Sequence, residues 1–268
     1  MKVFHIQYKT FDPTGNRTMI VTTPVDREDH SKAAGGIMDH DRSIEQVAFI
    51  EEGNRLQMMG GEFCGNASLS YAAMLAEKEG KDAADYSLDV SGAEEKVSVS
   101  VEKKDDGYFG KVSMPLPLEC KVKNFGRYKL PLIKFNGISH TIVTERIPQA
   151  LAQMLIREWA SKARAEAFGI LMCSADYTEM TPIVFVKSTD TVVIESSCAS
   201  GTAAVGAYLA LERKEPVKLE IRQPGGVLSV EAAVEGDKVS SLVLGGQVKC
   251  VDEGEMDVEE KIIVIKKD

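Results

Sequence analysis

The sequence predicts an α+β protein of two pseudo-symmetric lobes, each with a curved, mostly antiparallel sheet around a central helix. Three observations lead to this prediction. Two segments share one plan, a cysteine followed by small polar residues and an apolar helical stretch, and they begin at Cys64 and Cys198. Each is followed by a strand, a glycine turn and an alternating strand, at residues 87–101 and 218–234. The two cysteines lie half a chain length apart in 268 residues.

Further elements match around the two helical stretches. The first helix should end at Gly80 and the second before Pro216. The remaining matched pairs are strand-turn-strand units at residues 4–21 and 132–144, with turns at 12–16 and 136–137, and closing strands at 110–114 and 240–244. We therefore predict lobes at residues 1–117 and 118–255, with a crossover near residues 114–117. A last strand at about 256–268, including residues 261–266, is expected to return to the first lobe.

Composition excludes several classes of protein. The net charge of −9 and the pI of about 5.2 argue against a nucleic-acid partner, because such proteins concentrate lysine and arginine on one face. The N-terminus becomes polar too early for a signal peptide, and no run of about 18 apolar residues predicts a membrane span. We expect a cytoplasmic protein without a membrane partner.

The cysteines and histidines do not predict a metal site or a disulfide framework. The chain has five cysteines and four histidines, which are widely scattered, without a C-x-x-C pair or an H-E-x-x-H motif. No metal is therefore expected. Three of the cysteines lack the helix-start context and are interpreted as structural: Cys120, Cys173 and Cys250.

The positions of Cys64 and Cys198 favour chemistry. A helix N-terminus presents unpaired N–H groups and a partial positive charge, which should lower a thiol pKa from about 8.5 toward neutrality. The same amides can bind a carboxylate. One such cysteine is usually a packing residue, but two in equivalent places of a repeated unit favour catalysis. Two opposed thiols suit inversion at an amino-acid Cα, since one removes a proton and the other returns one. No lysine motif for pyridoxal phosphate is present, so no cofactor is expected.

The motifs around these cysteines are similar to those of the diaminopimelate epimerase superfamily. They are G-E-F-C-G-N-A at residues 61–67 and E-S-S-C-A-S-G-T at 195–202, with Gly15-Asn16 and G-I-S-H at 137–140. The resemblance spans essentially the whole chain. It implies that Cys64 and Cys198 are catalytic. It also implies carboxylate binding by Gly65, Asn66, Ala199 and Ser200, a pocket position for Asn16 and a role for His140 in modulating the thiols.

Departures from the epimerase pattern concern the substrate. Ile138 stands where those enzymes have asparagine, and residues 189–192 lack their Glu-Arg pair. Without these groups, a second zwitterionic end has no partner, so diaminopimelate is disfavoured. The variant motifs resemble the histidine racemases of opine-metallophore biosynthesis, which implies histidine as substrate. Glu45, or its neighbour Gln46, is then a candidate partner for the imidazole. Glu195 is a candidate for tuning its cysteine or binding the substrate ammonium, although it also suits the helix dipole.

Several alternatives remain open at this point. The first is a diaminopimelate epimerase or another amino-acid epimerase of the same fold. The second is an isomerase of the phenazine-biosynthesis type, which uses carboxylate chemistry and lacks the cysteine pair. The third is a non-catalytic amino-acid-binding or redox-sensing relative. For the enzyme we expect a homodimer that acts on a small-molecule amino acid.

Overall fold

A computed structural model of the protein describes residues 2–187 and 190–261. It has about 24% helix and 48% strand, which confirms the predicted α+β class. The chain divides into two units, one formed by Met1–Gly110 with Gln247–Asp268 and the other by Lys111–Gly246. The predicted strand at residues 261–266 lies outside the described residues except for Lys261.

The first unit contains two helices and the strands that surround them. Its elements in chain order are β1 (Val3–Pro13), β2 (Thr18–Val21), α1 (His30–His40), β3 (Gln46–Glu51), β4 (Arg55–Met58), α2 (Gly65–Glu79), β5 (Ala83–Leu88), β6 (Val97–Lys104) and β7 (Gly107–Ser113). The C-terminal part of β16 (Lys238–Glu259) pairs antiparallel with β1. The strands of the first unit, together with β16, are hydrogen-bonded in the order β4-β3-β2-β1-β16-β7-β6-β5.

The second unit repeats this plan. Its elements are β8 (Glu119–Phe125), β9 (Tyr128–Lys134), β10 (Ile138–Val143), α3 (Gln149–Ala163), β11 (Ala167–Cys173), β12 (Met180–Val186), β13 (Thr191–Ile194), α4 (Ala199–Arg213), β14 (Val217–Gln223) and β15 (Gly226–Glu235). Six strands pair in the order β13-β12-β11-β10-β9-β8, while β15 pairs with β14 and with the first part of β16. Apart from β8 and β13, the described elements follow one another as in the first unit.

Each unit contains a parallel strand pair that the sequence analysis did not predict. Strands β2 and β3 are parallel and are connected through α1, and β10 and β11 are parallel and are connected through α3. A parallel pair needs such a crossover, whereas antiparallel neighbours such as β8 and β9 or β14 and β15 are joined by short turns. Thr14 and Gly15 have positive φ in the first of these turns, as expected for the predicted turn at residues 12–16.

Helices α2 and α4 are the central helices of their units. Ten of the fifteen residues are buried in each, which agrees with the apolar stretches that follow the cysteines. Helix α2 ends at Gly80 and α4 ends two residues before Glu215-Pro216, as predicted. Helices α1 and α3 are buried on one side, and Trp159 of α3 packs against Phe125 with ring centroids 5.1 Å apart. Across residues 2–187 and 190–261, no helix is long and apolar enough to span a membrane.

Candidate active site

Cys64 and Cys198 have the same local geometry. Each is the N-cap residue of its helix with extended backbone angles, φ −131° and ψ 112° for Cys64 and φ −126° and ψ 105° for Cys198. Each sulfur accepts a hydrogen bond from the amide three residues later, at 3.5 Å from Ala67 N and 3.4 Å from Gly201 N. The predicted helix starts are therefore confirmed, and each sulfur lies where an N-cap serine or aspartate oxygen commonly lies.

The two thiols differ in their surroundings. Cys198 is 5% exposed, whereas Cys64 is half-buried. Burial raises the pKa of the Cys198 thiol well above its ordinary value, and the charge and hydrogen bond of Glu195 raise it further. The Ser200 hydroxyl and the Gly201 N–H act in the opposite direction. The expectation of a lowered pKa is therefore wrong for Cys198, because loss of water and the nearby carboxylate outweigh the helix terminus.

A buried histidine contacts the Cys198 site through Ser200. Nε2 of His140 lies 2.9 Å from Ser200 Oγ, which lies 3.6 Å from Cys198 Sγ. His140 is fully buried, and burial lowers its pKa to about 3, so the imidazole is neutral near pH 7. Nδ1 of His140 has no hydrogen-bond partner. Since an unpaired buried N–H is rarer than an unpaired acceptor, we place the proton on Nε2, where it is donated to Ser200. Ser200 can then donate its own proton to the sulfur.

Gly169 provides the space for this histidine. It lies opposite His140 in the pairing of β10 with β11. A Cβ at residue 169 would lie 2.2 Å from Nδ1 of His140, closer than any real contact. Any side chain at this position would therefore displace the imidazole. Sequence analysis missed Gly169, because an isolated glycine in a strand indicates a close approach without saying of which residue.

Asn16 and Glu45 form a pair in the first unit. Asn16 Nδ2 donates to Glu45 Oε2 over 2.7 Å, and Asn16 is 3% exposed. The turn between β1 and β2 places Asn16, while Glu45 directly precedes β3. The Oδ1 atom of Asn16 is buried without a hydrogen-bond partner. The amide of Asn16 therefore retains one acceptor in the neighbourhood of a carboxylate.

The other predicted residues lie at the two helix starts. Gly65 and Asn66 form the first turn of α2, and Ala199 and Ser200 form that of α4. The structure brings five of the ten predicted residues together at the start of α4. They are Cys198, Ala199, Ser200, His140 and Glu195. It places Cys64, Gly65, Asn66, Asn16 and Glu45 in the first unit.

Two buried polar residues at the Cys198 site were also missed. The Cys198 N–H donates to Gln223 Oε1, and Gln223 Nε2 donates to Thr202 Oγ1, each over 2.8 Å. Gln223 ends β14 and precedes Pro224-Gly225-Gly226, so its sequence context indicated only a turn. A cavity of about 910 Å³ in the second unit has Gln223 in its wall but none of the predicted site residues. Within the described ranges, no cluster of three histidine, cysteine, aspartate or glutamate residues is suited to a metal ion.

Comparisons with known proteins find chains of similar sequence and similar fold. The family model described as the histidine racemase CntK N-terminal domain matches residues 5–256. A histidine racemase of Fusobacterium nucleatum subsp. nucleatum is 34% identical over 267 residues, which cover 95% of this chain and 98% of that protein. A histidine racemase of Staphylococcus aureus is 26% identical over 271 residues, with 95% and 98% covered. In fold, the chain is similar to the structure of a predicted epimerase from Pseudomonas aeruginosa. That match has a TM-score of 0.67 and 15% identity, with 94% of this chain and 99% of the other covered.

Proposed function

Since the chain belongs to the histidine racemase family and is an amino-acid racemase, we propose that it racemises histidine with Cys64 and Cys198 as the two acid/base groups. The observation that carries the proposal is the matched position of the two sulfurs, each the N-cap of the central helix of its unit. The predicted family and the predicted isomerase activity are confirmed, which leaves the non-catalytic alternative without support.

The mechanism requires one thiolate and one thiol. The thiolate takes the Cα proton and becomes a thiol, while the opposite thiol gives its proton to the other face of Cα and becomes a thiolate. The two groups thereby exchange protonation states in each turnover, and they titrate as a pair. Burial and Glu195 favour the protonated form of Cys198. This supports Cys198 as the proton donor and Cys64 as the base in the enzyme form that begins the reaction.

The carboxylate of the substrate would bind the amides at the helix starts. In α4 the first intrahelical bond runs from Thr202 N to Cys198 O, and Gly201 N is used by the sulfur. The amides of Ala199 and Ser200 thus point toward the space before the helix, and those of Gly65 and Asn66 are in the same position in α2. Such donors stabilise the negative charge that grows on the carboxylate as Cα loses its proton. No cofactor is needed for this step in the proposal.

The side chain of histidine would bind near Asn16 and Glu45. A carboxylate accepts a hydrogen bond from an imidazole N–H, and the buried Oδ1 of Asn16 offers a second acceptor. The buried Oδ1 of Asn16 favours an imidazole over an apolar side chain, which would leave this acceptor unpaired at a cost of about 1–3 kcal/mol. His140, which is fully buried and bonded to Ser200, acts in this proposal on Cys198.

The proposal is tested by following L-histidine in D2O without added cofactor. We expect deuterium at Cα and formation of D-histidine, and we expect Cys64→Ser and Cys198→Ser each to lower racemisation by at least about 1000-fold, since each removes an acid/base group. Cys120→Ser is the matched control, because Cys120 lies within the strand β8 and not at a helix start. Wild-type rates in either active-site variant would disprove the two-thiol mechanism. Turnover of other amino acids but not histidine would disprove only the substrate.

We further propose a cytoplasmic homodimer that supplies D-histidine for metallophore biosynthesis. The resemblance of the motifs to histidine racemases of that type supports this role, and the frequency of twofold homodimers supports the assembly. Light scattering coupled to size-exclusion chromatography tests the dimer, with a mass of about 29 kDa, that of the single chain, as the contrary result.

A further inference from the structure

A set of buried hydrogen bonds connects Cys198 to the end of β14. The Cys198 N–H donates to Gln223 Oε1, Gln223 Nε2 donates to Thr202 Oγ1, and the Thr202 hydroxyl donates to the Cys198 carbonyl, each over 2.8 Å. Gln223 is 4% exposed and Thr202 is fully buried. The Thr202 hydroxyl accepts one bond and donates another, as a single hydroxyl allows, and the Cys198 carbonyl also accepts the Thr202 N–H. The peptide groups on both sides of Cys198 are therefore held by one connected set of bonds.

The set replaces a capping interaction that α4 cannot form by itself. In a capping box, a glutamate or glutamine at the third helical position accepts the N–H of the N-cap residue. That position in α4 is Gly201, which has no side chain for this purpose. A Cβ there would lie 2.8 Å from a methyl group of Leu171 and 3.2 Å from the Cys198 sulfur. The glutamine that accepts the Cys198 N–H is instead supplied by β14.

We propose that Gln223 is a positioning residue of the racemase, which fixes the main chain of Cys198 and thereby the direction of its sulfur. By accepting the Cys198 N–H, Gln223 also leaves the amides of Ala199 and Ser200 as the donors available to a carboxylate at α4. This inference rests on the proposed two-thiol mechanism. Cys198 must deliver its proton to one face of the substrate Cα. A small rotation about the Cα–Cβ bond of Cys198 moves the sulfur and lengthens the distance that the proton must cross.

The strand end that corresponds to Gln223 in the first unit contacts other groups. The corresponding strand is β5, and Ser91 follows its end. The Ser91 hydroxyl accepts from Met58 N over 2.9 Å and donates to Glu62 O over 2.7 Å, so it contacts the main chain before Cys64. The contacts of Ser91 reach residues before Cys64, whereas Gln223 and Thr202 bond to the peptide groups of Cys198 itself.

The test compares Gln223→Met with Gln223→Glu. Methionine has a similar size but neither accepts the N–H of Cys198 nor donates to Thr202. We expect kcat to fall about 10- to 100-fold, the scale that a displacement of about 1 Å can produce, with a smaller change in KM. Glutamate restores the acceptor, so kcat should recover in part. It also adds negative charge near Cys198, whose other titratable neighbours are Glu195 and, through Ser200, His140. Alkylation of Cys198 should therefore require a higher pH in this variant.

Two controls separate positioning from stability. Tyr108→Phe removes one partly buried hydrogen bond elsewhere, from Tyr108 Oη to Lys81 O at 2.9 Å, and should lower the Tm without changing kcat. Thr202→Ser keeps the hydroxyl and should behave as wild type, whereas Thr202→Val should reproduce Gln223→Met. If Gln223→Met does not fold, the glutamate and Thr202 variants carry the test.

The proposal is overturned if the folded variants at residues 223 and 202 change the Tm alone. In that case kcat and the pH profile of Cys198 alkylation would stay at their wild-type values. Alkylation of the peptide that contains Cys198, quantified by mass spectrometry, needs no substrate. A protein that does not racemise histidine would disprove the proposed function, yet the alkylation profile would still decide whether Gln223 positions Cys198.

Discussion

The starts of α2 and α4 share a backbone geometry but present different sulfurs. Both cysteines are N-caps with extended angles and both accept an amide three residues ahead. Cys64 remains half-buried, while Cys198 is enclosed with Ser200, His140 and Glu195 around it. The comparison teaches that the cysteine at a helix start sets the position of a thiol, while burial and the side chains around it set its protonation. A two-base racemase can use this difference, because its two groups must begin each turnover in opposite states.

The largest expected difference between the two starts is in thiol reactivity. Iodoacetamide reacts with thiolates that solvent can reach, and Cys198 is both buried and held as a thiol. At pH 7.5 we expect Cys64 to be alkylated on the order of 100-fold faster than Cys198. Mass spectrometry of the two peptides over time measures the ratio. Equal rates would show that the surroundings do not distinguish the two thiols.

A second expected difference is in the pH dependence of stability, because the buried imidazole belongs to the Cys198 site. The folded pKa of His140 is about 3, below its unfolded value of about 6.5. As pH falls below about 6.5, His140 becomes protonated in the unfolded chain but stays neutral in the folded chain. The free energy of unfolding therefore decreases by about 1.4 kcal/mol per pH unit. Above pH 6.5 this histidine has no effect. Urea unfolding of wild type and His140→Asn between pH 7 and 5 measures the contribution.

The contribution of His140 is the difference between wild type and His140→Asn in the slope of the free energy of unfolding against pH. His30 is also buried with a lowered pKa, but it is present in both proteins and cancels in the comparison. Identical slopes for wild type and His140→Asn would contradict a neutral, buried imidazole at the second helix start.

The smallest expected effect comes from the carboxylate beside Cys198. Glu195→Gln removes a charge that raises the pKa of the thiol, so thiolate should form at a lower pH. We expect Cys198 to be alkylated about 10-fold faster at pH 8, because a larger fraction of it is thiolate. Glu166→Gln is a matched control, because Glu166 is an exposed partner of Lys187 in the same unit. An unchanged rate at Cys198 would assign its slow reaction to burial alone.

Local sequence signals were sufficient for the central helices and the turns. The small polar residues after each cysteine, Gly80, and the turn residues Thr14 and Gly15 determine nearby backbone geometry without distant partners. Helix α1 was missed because Gly35 and Gly36 disfavour a helix. Their structural reason is distant in sequence, since a Cβ at Gly36 would lie 2.2 Å from the Glu259 carbonyl oxygen of β16.

The raised pKa of Cys198 could not be predicted from its own segment. The helix terminus is visible in the sequence, but the opposing burial arises from strands that are folded around α4. The same limitation applies to Gln223, which follows the cysteine by 25 positions and reaches its N–H through the packing of β14. Site residues carried by the quoted motifs, including His140 and Glu195, were therefore predictable, whereas Gln223 and Gly169, which no motif contains, were not.

The absence of a side chain at residue 169 makes the residue types at positions 140 and 169 depend on each other, and an alignment of sequences can detect such a dependence. An imidazole at residue 140 and a Cβ at residue 169 exclude each other in this backbone. We therefore expect the two positions to covary among homologous chains, so that replacement of the glycine accompanies loss of the histidine. A homologue with alanine at the position of Gly169 would then be recognisable from its sequence as one in which no histidine acts on the second cysteine.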